Sequence, residues 1–156
     1  MARVPYENKL KVYWATAIAN TAAPTVAEIT TAGKYLGSFL APDATNFGMS
    51  QARVDTRNID GAWNTEVMGR LTMQPMLTLY RDDAVETDGY TLIVGGSAGF
   101  LIFSNFGVPE ATDKVMVVPC QMGEPIWLDS GNDTAQKFEA HFALTGDVVR
   151  DAVVAA

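Results

Sequence analysis

The 156-residue chain is poor in the side chains on which most protein chemistry depends. It has one cysteine, Cys120, and one histidine, His141. A single cysteine excludes an internal disulfide, and one histidine and one cysteine at no useful spacing do not make a zinc site. No phosphate-binding loop, dinucleotide fingerprint or EF-hand loop occurs, and the acidic pairs at 82–83 and at Asp129 and Asp133 would bind calcium only by chance geometry. We therefore expect neither a metal nor a cofactor. The apolar flanks of Cys120 favour a buried, inert thiol over a reactive one.

Long apolar runs and positive charge are also scarce. No stretch approaches the ~20 apolar residues of a membrane span, and the charged first segment has no long apolar core, so neither a membrane anchor nor a secretion signal is expected. The chain has 11 Lys and Arg against 18 Asp and Glu, a net charge of −7. This charge argues against a basic surface for binding nucleic acid. Residues 1–78 carry +1 and residues 79–156 carry −8. The imbalance indicates either a solvated acidic surface or a molecule with two unlike faces, suited to head-to-tail stacking.

The hydrophobic pattern indicates an all-β protein. Hydrophobic residues make up 48% of the chain, which suits one domain, 1–156, with a buried core. Apolar residues occupy alternate positions in 10–14 and 138–144, as in half-buried strands. A short helix is expected over 25–32, with Thr25 as its N-cap. Other strands are expected at 35–40, 76–82, 90–94, 100–106 and twice within 115–129, and polar connections at 81–89, 108–114 and 128–133. The sum is a β-sandwich or barrel of about nine short strands, one or two short helices and a long polar arm.

The arm is residues 41–75, which have no helical period and few apolar residues in sequence. A polar stretch of about 35 residues inside a compact domain is unusual and often functional. Within it, one set of positions is charged or polar and alternates with a set of small residues. The first set is Gln51, Arg53, Asp55 and Arg57, and the second is Ser50, Ala52, Val54 and Thr56. This pattern predicts a strand with a charged face and a small-residue face, and no large side chain to anchor it in its own core.

Residues Gly95–Gly99 have the G-x-S-x-G spacing of a hydrolase nucleophile elbow. Ser97, the two aspartates Asp129 and Asp133, and His141 even follow in the chain order of an α/β-hydrolase triad. An elbow, however, needs a strand before the turn and a helix after it, and the segment that follows is β-branched and aromatic. His141 lies on the polar face of a predicted strand, where a surface imidazole is the ordinary outcome. We therefore predict a glycine turn between two strands and no enzymatic activity; a small serine esterase using Ser97 is the remote alternative.

Three stretches give the chain its resemblance to a known family. They are Ala-Pro-Thr-Val-Ala-Glu-Ile-Thr-Thr-Ala-Gly at 23–33, the strand, acidic connection and strand at 78–94, and the closing strand with its small-residue tail at 136–147 and 151–156. Over most of its length the chain resembles the major tail tube proteins of bacteriophages with long, non-contractile tails. It departs from their pattern at Gly95-Gly96-Ser97, where a basic residue would be expected, so no charge pairing is implied at that position.

The resemblance implies a structural virion protein that is made in the host cytoplasm. Its subunits would form hexameric rings that self-assemble by stacking into a hollow tube, with a tape-measure protein inside it and tail-terminator and baseplate or distal tail proteins at its ends. DNA would pass transiently through the bore during ejection, and no membrane would be involved. The long arm, 41–75, would reach the neighbouring ring.

The residues expected to carry this assembly lie mostly in the arm. The candidates for inter-ring contact are Asp43, Asn46, Asp60, Trp63, Glu66 and Met68. The candidates for the lumen or an inter-subunit face are Gln51, Arg53, Asp55 and Arg57. Other readings remain open: an oligomeric virion β-sandwich of another kind, such as a decoration or tail-terminator protein, or a monomeric carbohydrate-binding sandwich.

Overall fold

The protein is described by a computed structural model covering residues 9–57, 59–81, 89–128, 131 and 135–156. In this part of the chain it is an all-β protein, as predicted, with two short helices. In chain order the elements are β1 (Lys11–Ala15), α1 (Val26–Thr30), β2 (Lys34–Tyr35), β3 (Leu40–Asn46), β4 (Ser50–Asp55), β5 (Glu66–Thr72), β6 (Met76–Tyr80), α2 (Gly89–Leu92), β7 (Ala98–Ser104), β8 (Lys114–Met122), β9 (Ile126–Trp127), β10 (Lys137–Leu144) and β11 (Val149–Val153). Neither helix is long and apolar enough to span a bilayer.

Nine of these strands form one antiparallel sheet that curls into a half-barrel. Its order is β2-β1-β7-β8-β10-β6-β3, with β11 beside β8 and β9 beside β10. The curl arises at β8, because two strands share its second edge. Val115 and Val117 of β8 pair with β11, whereas Cys120 and Met122 pair with the end of β10. The remaining two strands, β4 and β5, pair with each other in a separate sheet.

Both faces of the central strands are buried, which corrects the prediction of half-buried strands for β1. Val12 and Trp14 point into the larger cluster, together with residues of β6, β7, β8 and β10. Tyr13 and Ala15 point into a second cluster with Ile29 of α1. Tyr13 is only 5% exposed, because α1 and the C-terminal segment cover the second face of the sheet. The alternation of apolar and polar residues predicted the strand β1, but not that α1 and the C-terminal segment cover its second face.

Helix α1 begins where the sequence predicted, at the N-cap Thr25. The Thr25 hydroxyl accepts from the Glu28 backbone N–H (3.2 Å), and the Glu28 carboxylate accepts from the Thr25 N–H (2.8 Å), which completes a capping box. The same carboxylate also accepts from the Ala19 N–H at 2.9 Å. The N–H of Val26 in turn donates to the carbonyl of Ala155. The helix thus joins the preceding loop and the C-terminus into one cover over the second cluster.

The capping box predicts an acid-sensitive component of stability. Hydrogen bonds from the backbone of Thr25 and of Ala19 lower the pKa of Glu28 from its ordinary 4.5. A carboxyl whose folded pKa is lowered contributes stability that is present above its unfolded pKa and is lost as the pH falls through the folded value. We expect the free energy of unfolding of the wild type to fall more steeply below pH ~4.5 than that of Glu28→Gln, measured by urea titration at several pH values. Equal slopes for the two proteins would contradict this assignment.

Two predicted strands take other forms. Helix α2 takes up most of the segment 90–94. Tyr90 and Leu92 pack against the larger cluster, Ile93 just after the helix is buried, and Val94 is 64% exposed. The adjacent core-facing residues Leu92 and Ile93 break the alternation of a strand, and Tyr90 and Ile93 have the three-residue spacing of a helical turn. The strand expected at 35–40 ends at Tyr35, because Leu36 is buried and its carbonyl accepts from the N–H of Phe39 to close a turn. The connections expected at 81–89 and 128–133 lie largely outside the described residues.

The single cysteine is buried in β8, as predicted. Cys120 has no exposed surface, and burial raises the pKa of its thiol to about 12. Only the thiolate reacts readily with disulfide reagents, so the folded protein holds this group in its unreactive form. We expect Ellman's reagent to leave Cys120 unmodified in the native protein near pH 8 and to modify one thiol per chain after denaturation. Rapid reaction of the native protein would show that β8 opens far more often than its packing implies.

Candidate assembly surfaces

The arm predicted at 41–75 is largely an ordered β-hairpin built from β4 and β5. Its strands pair from Ser50↔Thr72 at the base to Asp55↔Glu66 near the tip. Every residue of both strands except Gly69 is exposed. A two-stranded hairpin with neither face covered is only marginally stable in water. The hairpin is therefore a candidate surface for contact with a partner.

The two faces of the hairpin differ in chemistry, as the alternation within β4 predicted. Residues directly opposite each other in antiparallel strands lie on the same face. The charged face is made of Gln51, Arg53, Asp55, Arg57, Glu66, Met68 and Leu71. The uncharged face is made of Ser50, Ala52, Val54, Thr56, Thr65, Val67 and Thr72. Arg70 lies in the bulge between the two registers and belongs to neither row of pairs.

The charged face holds its charges in pairs at the surface. Arg53 Nη1 lies 3.7 Å from Glu66 Oε2, and Arg57 Nε lies 2.8 Å from Asp55 Oδ2. The side chains of these pairs are between 48% and 71% exposed, so each pair contributes little to stability. Their effect is to make this face polar and well hydrated.

Large apolar side chains stand at the tip of the hairpin. Trp63 is 84% exposed, and Ile59 is fully exposed. Asp60 lies between them and is exposed as well. Exposed apolar groups of this size on an unsupported projection make the tip a candidate interaction surface.

The structure brings most of the predicted site residues together on this one hairpin. Asp60, Trp63, Glu66 and Met68 from the predicted inter-ring set share it with all four residues of the predicted lumen set. Glu66 and Met68 lie directly opposite Asp55 and Arg53. Only Asn46 and Asp43 lie elsewhere, in β3 of the main sheet. Asn46 accepts a hydrogen bond from the Gly48 N–H at 2.9 Å, which shapes the turn that leads into the hairpin.

Strand β5 was missed by the sequence reading, although it carries half of the surface. Val67 and Met68 are adjacent apolar residues and Gly69 interrupts the pattern, so no alternation is visible in β5 alone. The strand is defined by its partner β4, in which Val54 lies opposite the similar Val67.

Two grooves open where the hairpin joins the sheet. The larger, about 490 Å³, lies between residues 71–75 and residues 141–144 of β10. The smaller, about 270 Å³, runs from Met49 past Met73 to the connection between β10 and β11. The base of the hairpin is therefore not packed closely against the sheet, except where Met73 enters the core.

A second exposed aromatic surface lies at the other end of β6. The guanidinium carbon of Arg81 lies 4.3 Å from the ring centre of Tyr90 and 5.1 Å from that of Trp127. Trp127 is 56% exposed, and its ring centre lies 5.5 Å from that of Tyr90. The hairpin precedes β6 and Arg81 follows it, so the two surfaces are separated by the strand's five residues, about 16 Å.

The serine of the G-x-S-x-G sequence does not lie on a nucleophile elbow. Helix α2 precedes the turn and strand β7 follows it, which reverses the order that an elbow needs. The prediction of a turn between two strands is wrong in the same way, because the turn joins a helix to a strand. Ser97 instead links the turn to β8: its N–H donates to the Val94 carbonyl, and its carbonyl accepts from the Met122 N–H at 3.0 Å. His141 is exposed and lies 3.1 Å from Glu139 on its own strand.

Among the described residues, no group of three or more histidine, cysteine or carboxylate side chains is arranged to hold a metal ion. What the structure presents is an all-β chain with an unsupported hairpin before β6 and an exposed aromatic surface after it. A family model described as phage tail tube protein matches residues 1–156. The chain belongs to the phage tail tube protein family. No curated protein matches it. The resemblance drawn from the sequence is thereby confirmed. Proteins of this family are structural components of the phage virion and self-assemble into a tube.

Proposed function

We propose that this tail tube protein forms hexameric rings that stack into the hollow tube of a long, non-contractile phage tail, through which the DNA passes. The observation that carries the proposal is the β4–β5 hairpin, whose two faces are both exposed. Such an element gains most of its stability from whatever covers it. In a self-assembling family, the natural cover is another subunit.

The hairpin reaches the next ring in this proposal. Its exposed tip carries the contacts, with Trp63 as the apolar anchor and Asp60 as a polar neighbour. Glu66 and Met68, the other two candidates on the hairpin, lie on its charged face. Aromatic side chains are the usual anchors of interfaces. Stacking of identical rings is a head-to-tail arrangement, so the hairpin end of one subunit faces the opposite end of the next. In this proposal the surface around Arg81 and Trp127, which follows the other end of β6, faces the hairpin of the next subunit.

Closure of each ring uses the edges of the sheet. Strands β2 and β3 stand at the two ends of the described order. Unpaired strand edges are a liability in a monomer, but they pair well with a neighbouring chain. Asp43 and Asn46 were expected in the contact between rings; because both lie on β3, the proposal assigns them to the edge between subunits of one ring. The sheets of the subunits then join into one continuous wall.

The net charge fits a conduit for DNA. A chain with net charge −7 does not attract phosphates, so a bore lined by such subunits lets DNA slide instead of binding it. A tape-measure protein occupies the bore before the DNA does. Tail-terminator and baseplate or distal tail proteins close the two ends of the tube.

The proposal is tested by concentrating the purified protein and imaging it by negative-stain electron microscopy. We expect hollow tubes of uniform width with six-fold end views, together with free rings. A single closed ring that never stacks would instead support a tail-terminator role. A field of monomers at high concentration, with or without the other tail proteins, would contradict the proposal.

A further inference from the structure

The two faces of the β4–β5 hairpin differ in the free energy required to remove them from water. Moving Arg53, Asp55 or Glu66 of the charged face out of water carries a desolvation penalty that only a well-made partner can offset. The uncharged face presents Val54 opposite Val67, which are 49% and 53% exposed. Burial of these β-branched side chains is favourable.

The hydroxyl groups of the uncharged face already have partners within the hairpin. Ser50 Oγ lies 2.7 Å from Thr72 Oγ1. Thr56 Oγ1 donates to the carbonyl of Thr65 at 3.1 Å and lies 3.2 Å from its hydroxyl. A buried hydroxyl without a hydrogen bond costs about 1–3 kcal/mol. Because these groups are satisfied internally, the face can be covered without leaving them unpaired.

The same face is flat enough for another sheet to pack on it. Gly69 has no side chain at the point where a Cβ would lie 3.1 Å from Val54 Cγ2 and 3.3 Å from the Ala52 carbonyl oxygen. The paired residues of this face are small or β-branched. Sheets pack face to face at about 10 Å, a distance that suits side chains of this size.

We propose that the uncharged face of the hairpin packs against a second copy of this chain and that the charged face stays in water. The inference rests on the proposed assembly, and it decides a question that the sequence left open: Gln51, Arg53, Asp55 and Arg57 face solvent or the bore, not a neighbouring subunit. A second copy is the occupant because the family self-assembles and β4 and β5 pair only with each other among the described strands.

The experiment compares lysine substitutions on the two faces at equal exposure. Val54 and Leu71 are both 49% exposed, but Val54 lies on the uncharged face and Leu71 lies opposite Gln51 on the charged face. We expect Val54→Lys and Val67→Lys to reduce the sedimentable tube fraction at least tenfold, and Leu71→Lys to leave it within twofold of the wild type. The conservative Val54→Thr keeps the shape of the side chain without a charge and should still form tubes.

Thermal melts monitored by circular dichroism confirm that each variant is folded, since all three positions are on the surface. Tubes from Val54→Lys and none from Leu71→Lys would overturn the inference, and so would full assembly of all variants. Neither result would count against the proposed function, because the wild-type protein would still polymerise into tubes. Failure of the wild type to polymerise would overturn the proposed function and this inference with it.

Discussion

Removal of the hairpin is expected to abolish stacking while leaving a folded subunit. The variant lacks residues 50–72 and joins Met49 to Met73 through an Asn-Gly turn. The two ends of the hairpin are already close, because the N–H of Gln74 donates to the carbonyl of Phe47 at 3.2 Å. Asn-Gly is the preferred sequence for a tight connection between antiparallel strands.

The subunit should survive because no residue of the hairpin belongs to either buried cluster. The nearest core residue on its C-terminal side is Met73, which the variant retains. Surface segments of this kind are removed with little effect on stability. We therefore expect a cooperative thermal transition within a few degrees of the wild type and a monomer or a single ring in sedimentation.

A milder variant serves as the matched control. It replaces only the tip, residues 57–64, with Asn-Gly and keeps both strands together with the uncharged face. If the tip supplies the anchor through Trp63, tubes should be shorter or need a higher protein concentration, whereas the full deletion should give none. Full-length tubes from the complete deletion would contradict the role of the hairpin in stacking.

The elements that sequence reasoning placed correctly are those whose signal is local. Thr25 followed by Glu28 carries its own cap, and β10 shows its buried face in the alternation of Phe138, Ala140 and Phe142. The two-faced character of β4 was visible for the same reason. Each of these depends on interactions between residues that are close together in the chain.

The elements that were missed depend on partners far away in the chain. Strand β5 has no period of its own and is defined by its pairing with β4. The surface around Arg81 draws on β6, α2 and β9, three segments that no spacing rule connects. The curl of the sheet likewise arises because β10 and β11 divide one edge of β8, which is a property of the whole topology. Patterns along the chain do not contain such information.

The glycines at 95–99 have the spacing of a nucleophile elbow, but the structure gives them a structural role. Substitution of Gly99 is expected to cause the largest loss of stability of any single change considered. Gly99 lies in β7 opposite Cys120, with Trp14 and Ala15 of β1 close to its Cα. A Cβ added there would lie 2.6 Å from the Ala15 carbonyl oxygen and 2.7 Å from Trp14 Cζ2. Neither group can move easily, because one belongs to a strand backbone and the other to an indole that is only 2% exposed.

We therefore expect Gly99→Ala to lower the free energy of unfolding by about 3 kcal/mol, the upper range for overpacking a well-filled core. For a chain of this length that is a fall of roughly 10 °C in melting temperature. Gly95→Ala is the matched control, because its added Cβ meets only the carboxylate of Glu124, 3.0 Å away at the end of a flexible side chain. That variant should lose less than about 1 kcal/mol.

Calorimetry or denaturant titration of the two variants decides between a structural and a chemical origin of the pattern. Ser97→Ala completes the set, since Ser97 is joined to the turn and to β8 through its backbone and should melt close to the wild type. We expect the melting temperature of Gly99→Ala to lie far below those of Gly95→Ala and Ser97→Ala. Equal stability of all three, with loss of an ester-hydrolysing activity only in Ser97→Ala, would restore the elbow interpretation. A selective loss at Gly99 would mean that the glycine is there to let Trp14 and the backbone of β1 approach β7.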